Sequence, residues 1–157
     1  MPKTDAESVD ALTVISNRYY ENQSDRATRE AAVKAMRHLG NLYMTHIIDY
    51  KQAYKNLLTA KNIAEEDGND YQLAFIYLSL ANLFNVNANG RENLAQEAEE
   101  FLMRSYEAAI RSGNEDILST LAHNMCMMTV DNHDLKCKDY TEQLSRIKAY
   151  PFSRSNK

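Results

Sequence analysis

One pattern of side-chain bulk recurs along this chain at a constant spacing. Met36, Leu39, Gly40 and Tyr43 in MRHLGNLY run large, large, small, aromatic, and Tyr77, Leu80, Ala81 and Phe84 in YLSLANLF repeat that order 41 residues later. A further step of 41 reaches Leu118, Leu121, Ala122 and Met125 in LSTLAHNM, with the pattern of bulk kept. Spacings of three and four place these residues on one face of a helix. A periodic helical unit with apolar residues on both flanks cannot hide them alone, so it stacks on its neighbours, and atypical units cap the ends.

A second pattern follows each of the first two copies. Ala53, Leu57 and Ala60 precede Gly68-Asn69, and Ala98, Leu102 and Ser105 precede Gly113-Asn114, an offset of 45 residues. Both sets have the stripe of an amphipathic helix. Gly68 and Gly113 can close those helices in the left-handed conformation, and the Asn and acidic residues after them can cap the next ones. The periodicity predicts an all-α chain of about seven helices, near 5–22, 25–46, 49–67, 70–86, 91–112, 115–129 and 134–149. The segment VNANGREN, residues 86–93, reads as the longest internal loop and as a candidate functional insertion. Residues 1–150 read as a single domain, with an N-terminal helix at 5–22 and repeats near 30–69, 70–114 and 115–149. Pro151 opens a tail, 151–157, that does not continue the last helix.

Only four Gly and two Pro stand among 157 residues, a scarcity of backbone breakers that favours long helices over tightly turned strands. Eighteen Lys and Arg against 22 Asp and Glu leave a net charge of −4, without the basic excess of a nucleic-acid binder. The first ten residues, MPKTDAESVD, lack the apolar core of a secretory signal. The most apolar stretch, 73–84, is too short to span a bilayer and contains Ser79 and Asn82. Cys126 and Cys137 are too few for a disulfide framework. The default reading is a cytoplasmic protein without a membrane segment; a portion of a longer secreted or membrane-anchored protein would read the same way.

Gly40, Ala81 and Ala122 hold one position of each first helix, where a large side chain would keep the partner helix away, and Ala53, Ala60 and Ala98 match them in the second helices. In this respect the chain resembles the tetratricopeptide repeat family. The first helix of that repeat carries a large residue, Leu-Gly and Tyr, and its second helix carries Ala, a large residue and Ala. MRHLGNLY followed by Ala53, Leu57 and Ala60 is the closest copy. The resemblance covers 30–114 and extends to 130 for a third first helix. No Trp opens a repeat, no Pro closes one, and the period exceeds the usual value of about 34, so longer helical repeats of the HEAT kind stay open. The resemblance implies a right-handed superhelical stack of antiparallel helix pairs, an α-solenoid, that acts as a protein–protein interaction module.

In that family the first helices line a concave groove that takes up a peptide or helix of a partner protein. The resemblance places Lys34, Arg37, Asn41 and Met44 there, beside Phe75, Leu78, Asn82 and Asn85, followed by Asp116, Ser119, His123 and Cys126. The column Asn41, Asn82, His123 offers amides that can bond a peptide backbone in both directions. Some members clamp a partner's C-terminal carboxylate. Arg37 and Asn41 match the first pair of that clamp, but Ser79, Asp116 and Thr120 do not supply the rest, and an Asp would repel the ligand.

His123, Cys126, His133 and Cys137 have ligand types suited to zinc, yet His123 and Cys126 already occupy places in the repeat, and free Cys is commonly a small buried hydrophobe. A metal protein or enzyme centred on His123 and Cys126 is the opposing class. No phosphate-binding glycine loop or nucleophile elbow supports catalysis, so the expectation is a non-enzyme without cofactor. Glu65, Glu66 and Asp67 read as a solvated helix end. Arg26, Arg29, Lys34, Arg37 and His38 form a basic cluster that is interleaved with Glu30 and apolar residues, which argues against nucleic acid. Within binding proteins, the family analogy also admits a regulatory or sensor portion of a larger bacterial signalling protein.

Overall fold

A computed structural model describes residues 4–118, 120 and 121. Five α-helices follow one another: α1 (Asp5–Glu21), α2 (Arg26–Leu42), α3 (Tyr50–Asp67), α4 (Asp70–Ala88) and α5 (Glu92–Ser112). A 3₁₀ turn, Glu115–Ile117, follows α5, and no strand occurs among the described residues. Packing is sequential, each helix against the next, and α2 also reaches past α3 to touch α4. The described residues therefore form an all-helical domain of sequentially packed helices. The expected helix at 134–149, the tail, and most of the helix at 115–129 lie outside the described residues.

Local chemistry sets the boundaries. The side chains of Thr4, Asp25, Asp49 and Asn69 each accept an orphan N–H in the first turn of α1 to α4, from Glu7, Thr28, Gln52 and Gln72 respectively, at 2.9–3.2 Å. Gly68 (φ 62°) and Gly113 (φ 67°) end α3 and α5 in the left-handed conformation. At each, the next residue's N–H returns to the carbonyl five positions back, Asn69 to Ala64 and Asn114 to Ala109, both at 2.9 Å. These two closures are 45 residues apart, the offset of the second sequence pattern.

Two boundaries differ from expectation. The helix expected at 25–46 is α-helical only to Leu42 and then widens into a π-turn, Tyr43–Ile47, which ends on Ile48 with φ 63°. Thr45 turns its hydroxyl onto the Asn41 carbonyl at 2.7 Å, within a segment made stiff by Thr45, Ile47 and Ile48. The segment 86–93 is not an eight-residue loop. Helix α4 runs to Ala88, which is buried, and Asn89 (φ 42°) and Gly90 (φ 84°) turn the chain so that α5 starts at Glu92. Two successive left-handed residues make this short turn possible.

The repeat is visible in burial. Met36, Leu39 and Gly40 in α2 and Tyr77, Leu80 and Ala81 in α4 are buried, while the aromatic that closes each copy, Tyr43 or Phe84, is half-buried. Leu118 and Leu121, the first two positions of the third copy, are buried as well. Gly40 shows why the third position must be small: a Cβ there would lie 2.4 Å from Cγ of Leu57. Helix α4 is apolar on all sides and lies at the centre, buried from Leu73 to Leu83 except at Phe75 and Asn82. Across the α4–α5 contact, the fully buried Ser105 donates its hydroxyl to the Ala74 carbonyl at 2.6 Å. A row of rings, Tyr54, Phe84, Phe101 and Tyr77, links α3, α4 and α5 with centroids 5.3–6.1 Å apart.

Candidate functional site

Where the first turns of α2 and α4 and the last turn of α5 come together, they leave a cleft of about 1180 Å³. Helix α2 contributes Ala27, Glu30, Ala31 and Lys34, a stripe at spacings of three and four, and small side chains at 27 and 31 keep the space open. Facing it are Asp70, Tyr71 and Gln72 of α4, with Arg111 at the end of α5.

Most charges of the cleft are matched in pairs. Arg26 lies 3.0 Å from Glu30, and Arg111 3.1 Å from Asp70. Arg29 donates to Asp67 at 3.0 Å, to Glu66 at 2.8 Å and to the Gln23 carbonyl at 2.8 Å, and its guanidinium lies over the Tyr19 ring. It therefore ties α1, α2 and the end of α3 together, and the carboxylates raise its pKa. Glu65 accepts from Lys61 at 2.8 Å and from the Tyr77 hydroxyl at 3.0 Å. Glu65, Glu66 and Asp67 are thus an ion-pairing element as well as an exposed helix end.

Lys34 and Arg37 have no carboxylate partner among the described residues. Lys34 is exposed on the cleft wall. Arg37, one turn further along α2, is half-buried: its Nε donates to Gln72 Oε1 at 3.0 Å and its guanidinium lies 4.7 Å from the centroid of Phe75. Burial pushes its pKa down. Burial and the nearby charges of Arg37 and Lys34 likewise hold the His38 imidazole below its ordinary value. Tyr71 packs edge-on against Phe75 at 5.5 Å and donates its hydroxyl to Asp116 at 3.0 Å.

The residues assigned to a groove from the sequence therefore separate. Lys34 lines the cleft, and Arg37 and Phe75 meet beside it. Asn41 is half-buried, with an Oδ1 that is buried and lacks a hydrogen-bond partner. Asn82 is half-buried and Asn85 exposed, near the far end of α4. Leu78 is only 7% exposed and belongs to the core, and Ser79, the residue at the second clamp position, is buried as well. His123 and the other potential ligands Cys126, His133 and Cys137 lie outside the described residues. No group of three or more His, Cys, Asp or Glu able to hold a metal ion occurs among the described residues, and none of their helices is long and apolar enough to cross a membrane.

The contributions of Ala27, Ala31, Tyr71 and Gln72 were not foreseen. The signal is present in α2, where positions 27, 31, 34, 37 and 41 continue one face, but Arg26 and Arg29 on the neighbouring face give the segment the pattern of a charged surface. Comparison of the chain with protein-family models, with curated proteins and with solved structures gives no match.

Proposed function

We propose that this domain is a protein–protein interaction module that holds a peptide or short helix of another protein in the cleft between α2 and α4. The observation that carries the reading is the open space of about 1180 Å³ walled by two neighbouring first helices, with small residues on one wall and Tyr71 and Gln72 on the other. A concave site with apolar and polar groups converging on it is the ordinary form of a ligand site. The resemblance of MRHLGNLY to the tetratricopeptide repeat supports the same face, because first helices form the binding surface in that family. The proposal involves no catalytic step and no cofactor.

The test is a library of random twelve-residue peptides displayed on phage and panned against the whole chain. Recovered peptides should bind the wild-type protein and lose binding to Ala31→Arg, which places a long side chain in the cleft from an exposed position that tolerates it. Unchanged binding by Ala31→Arg, with its melting temperature preserved, would refute the cleft as the site.

A further inference from the structure

From the charge left unmatched on this face we infer that the segment held in the cleft carries an acidic side chain, Asp or Glu, whose carboxylate docks against Arg37 and Lys34. This inference rests on the cleft reading above and names the chemistry of its partner.

The argument starts from pairing. Arg26, Arg29 and Arg111 around the cleft each meet a carboxylate within 3.1 Å. Arg37 differs from all three. It is half-buried, so part of its hydration is gone, yet its recorded partners are neutral: the Gln72 side chain at 3.0 Å and the face of Phe75 at 4.7 Å. A cation stripped of water and given no counter-ion is costly unless something completes it. Its hydrogen bond to Gln72 is made through Nε, and no hydrogen bond from its terminal nitrogens occurs among the described residues. Bonding at Nε to Gln72 leaves these nitrogens to offer donors to a carboxylate.

Lys34 adds a second positive charge one turn away on the cleft wall, and His38 lies on the same helix. Asp116 accepts from the Tyr71 hydroxyl and keeps its charge, so a docked carboxylate lies on the Arg37 and Lys34 side of the Tyr71 ring. Phe75 and Tyr71 provide ring surface for the aliphatic stem of the same acidic residue or its neighbour. A partner's internal Asp or Glu needs only Arg37 and Lys34. It does not need the further positions, Ser79 and Asp116, that disqualify a chain-end carboxylate.

The peptide panning tests this directly. Peptides recovered on the wild-type chain should be enriched in Asp or Glu, and a synthetic copy of one, followed by fluorescence anisotropy, should lose affinity by about 10-fold or more against Arg37→Gln, the scale of one charge-assisted hydrogen bond. Lys34→Gln, at an exposed position without structural partners, should weaken the same peptide by roughly 2–5-fold, and added salt should weaken wild-type binding. Replacing the peptide's acid by its amide should remove the difference between wild type and Arg37→Gln. Recovered peptides without acidic enrichment that Ala31→Arg still rejects would overturn the acidic anchor and leave the cleft reading standing. A panning that yields no peptide sensitive to Ala31→Arg overturns both.

Discussion

Gly40→Ala is a single-methyl change whose sign the packing reverses. Toward the end of an exposed helix, Ala in place of Gly would stabilise by up to about 1 kcal/mol, because Gly gives up more backbone freedom on folding. At residue 40 the added Cβ would lie 2.4 Å and 2.6 Å from Cγ and one Cδ of Leu57. Cγ is the branch point of that side chain, and Leu57 is fully buried in α3, so the clash is relieved only by moving the whole side chain or the helix. Overpacking of this kind costs about 1–3 kcal/mol. The net expectation is a loss of about 1–2 kcal/mol, or roughly 2–8 °C in melting temperature for a chain of this size. Thermal denaturation followed by circular dichroism measures it. Leu57→Ala alone should cost about 2–5 kcal/mol. In that background Gly40→Ala should become neutral or stabilising, a coupling of about 1–3 kcal/mol in the double-mutant cycle. A higher melting temperature for Gly40→Ala alone, or an equal loss in both backgrounds, would show that Gly40 does not set the approach of α2 to α3.

Leu78→Ala should lower stability by about 2–5 kcal/mol in chemical denaturation, since the side chain is in the core; a loss below about 0.5 kcal/mol would place it on the surface instead. Ile48 is a β-branched residue at φ 63° and is 56% exposed, so Ile48→Gly should raise stability by about 1 kcal/mol, and a decrease would mean the left-handed turn is not strained. The Tyr77 hydroxyl is pushed up to about 12 by burial and by the Glu65 carboxylate to which it donates. The unfolded chain releases that proton near pH 10, so the stability contributed by the phenol is complete below pH ~10 and declines as the pH rises toward ~12. Tyr77→Phe should flatten this alkaline decline in melting temperature between pH 9 and 11, and a slope identical to wild type would count against the pairing. Tyr71, which donates to Asp116 and is also raised, contributes with the same sign.

The helices were readable because their signals are local. Asp25, Asp49, Asn69, Gly68 and Gly113 act within a few residues of themselves, and the structure uses each as its chemistry dictates. Asn114 shows the limit: it has the same position after glycine as Asn69, but its amide donates to the Tyr71 carbonyl at 3.2 Å and does not cap. That choice depends on the neighbouring helix, which no local pattern contains. Leu78 was misplaced for a related reason. Its repeat position matches Arg37 in α2, yet α4 packs against α2, α3 and α5 and leaves little of its surface outside. The cleft was half-legible, through Lys34 and Arg37, while its opposite wall and the pairing that singles out Arg37 exist only once the helices are assembled. The π-turn had a visible cause in its β-branched residues, but their effect on a helix end is too small to be decisive from sequence.

All five ion pairs among the described residues lie at one end of the bundle, where α2 and α4 begin and α3 and α5 finish. The opposite end, with the Tyr43–Ile47 π-turn and the Asn89–Gly90 turn, has none among the described residues and is held there by rings and aliphatic contacts. The domain is built like a fan with its rivet at one edge. Electrolyte loosens the rivet and leaves the ribs untouched, whereas cooling weakens the ribs' apolar contacts and leaves the rivet in place. The cleft opens beside the rivet, so added salt acts on its walls before it acts on the far edge.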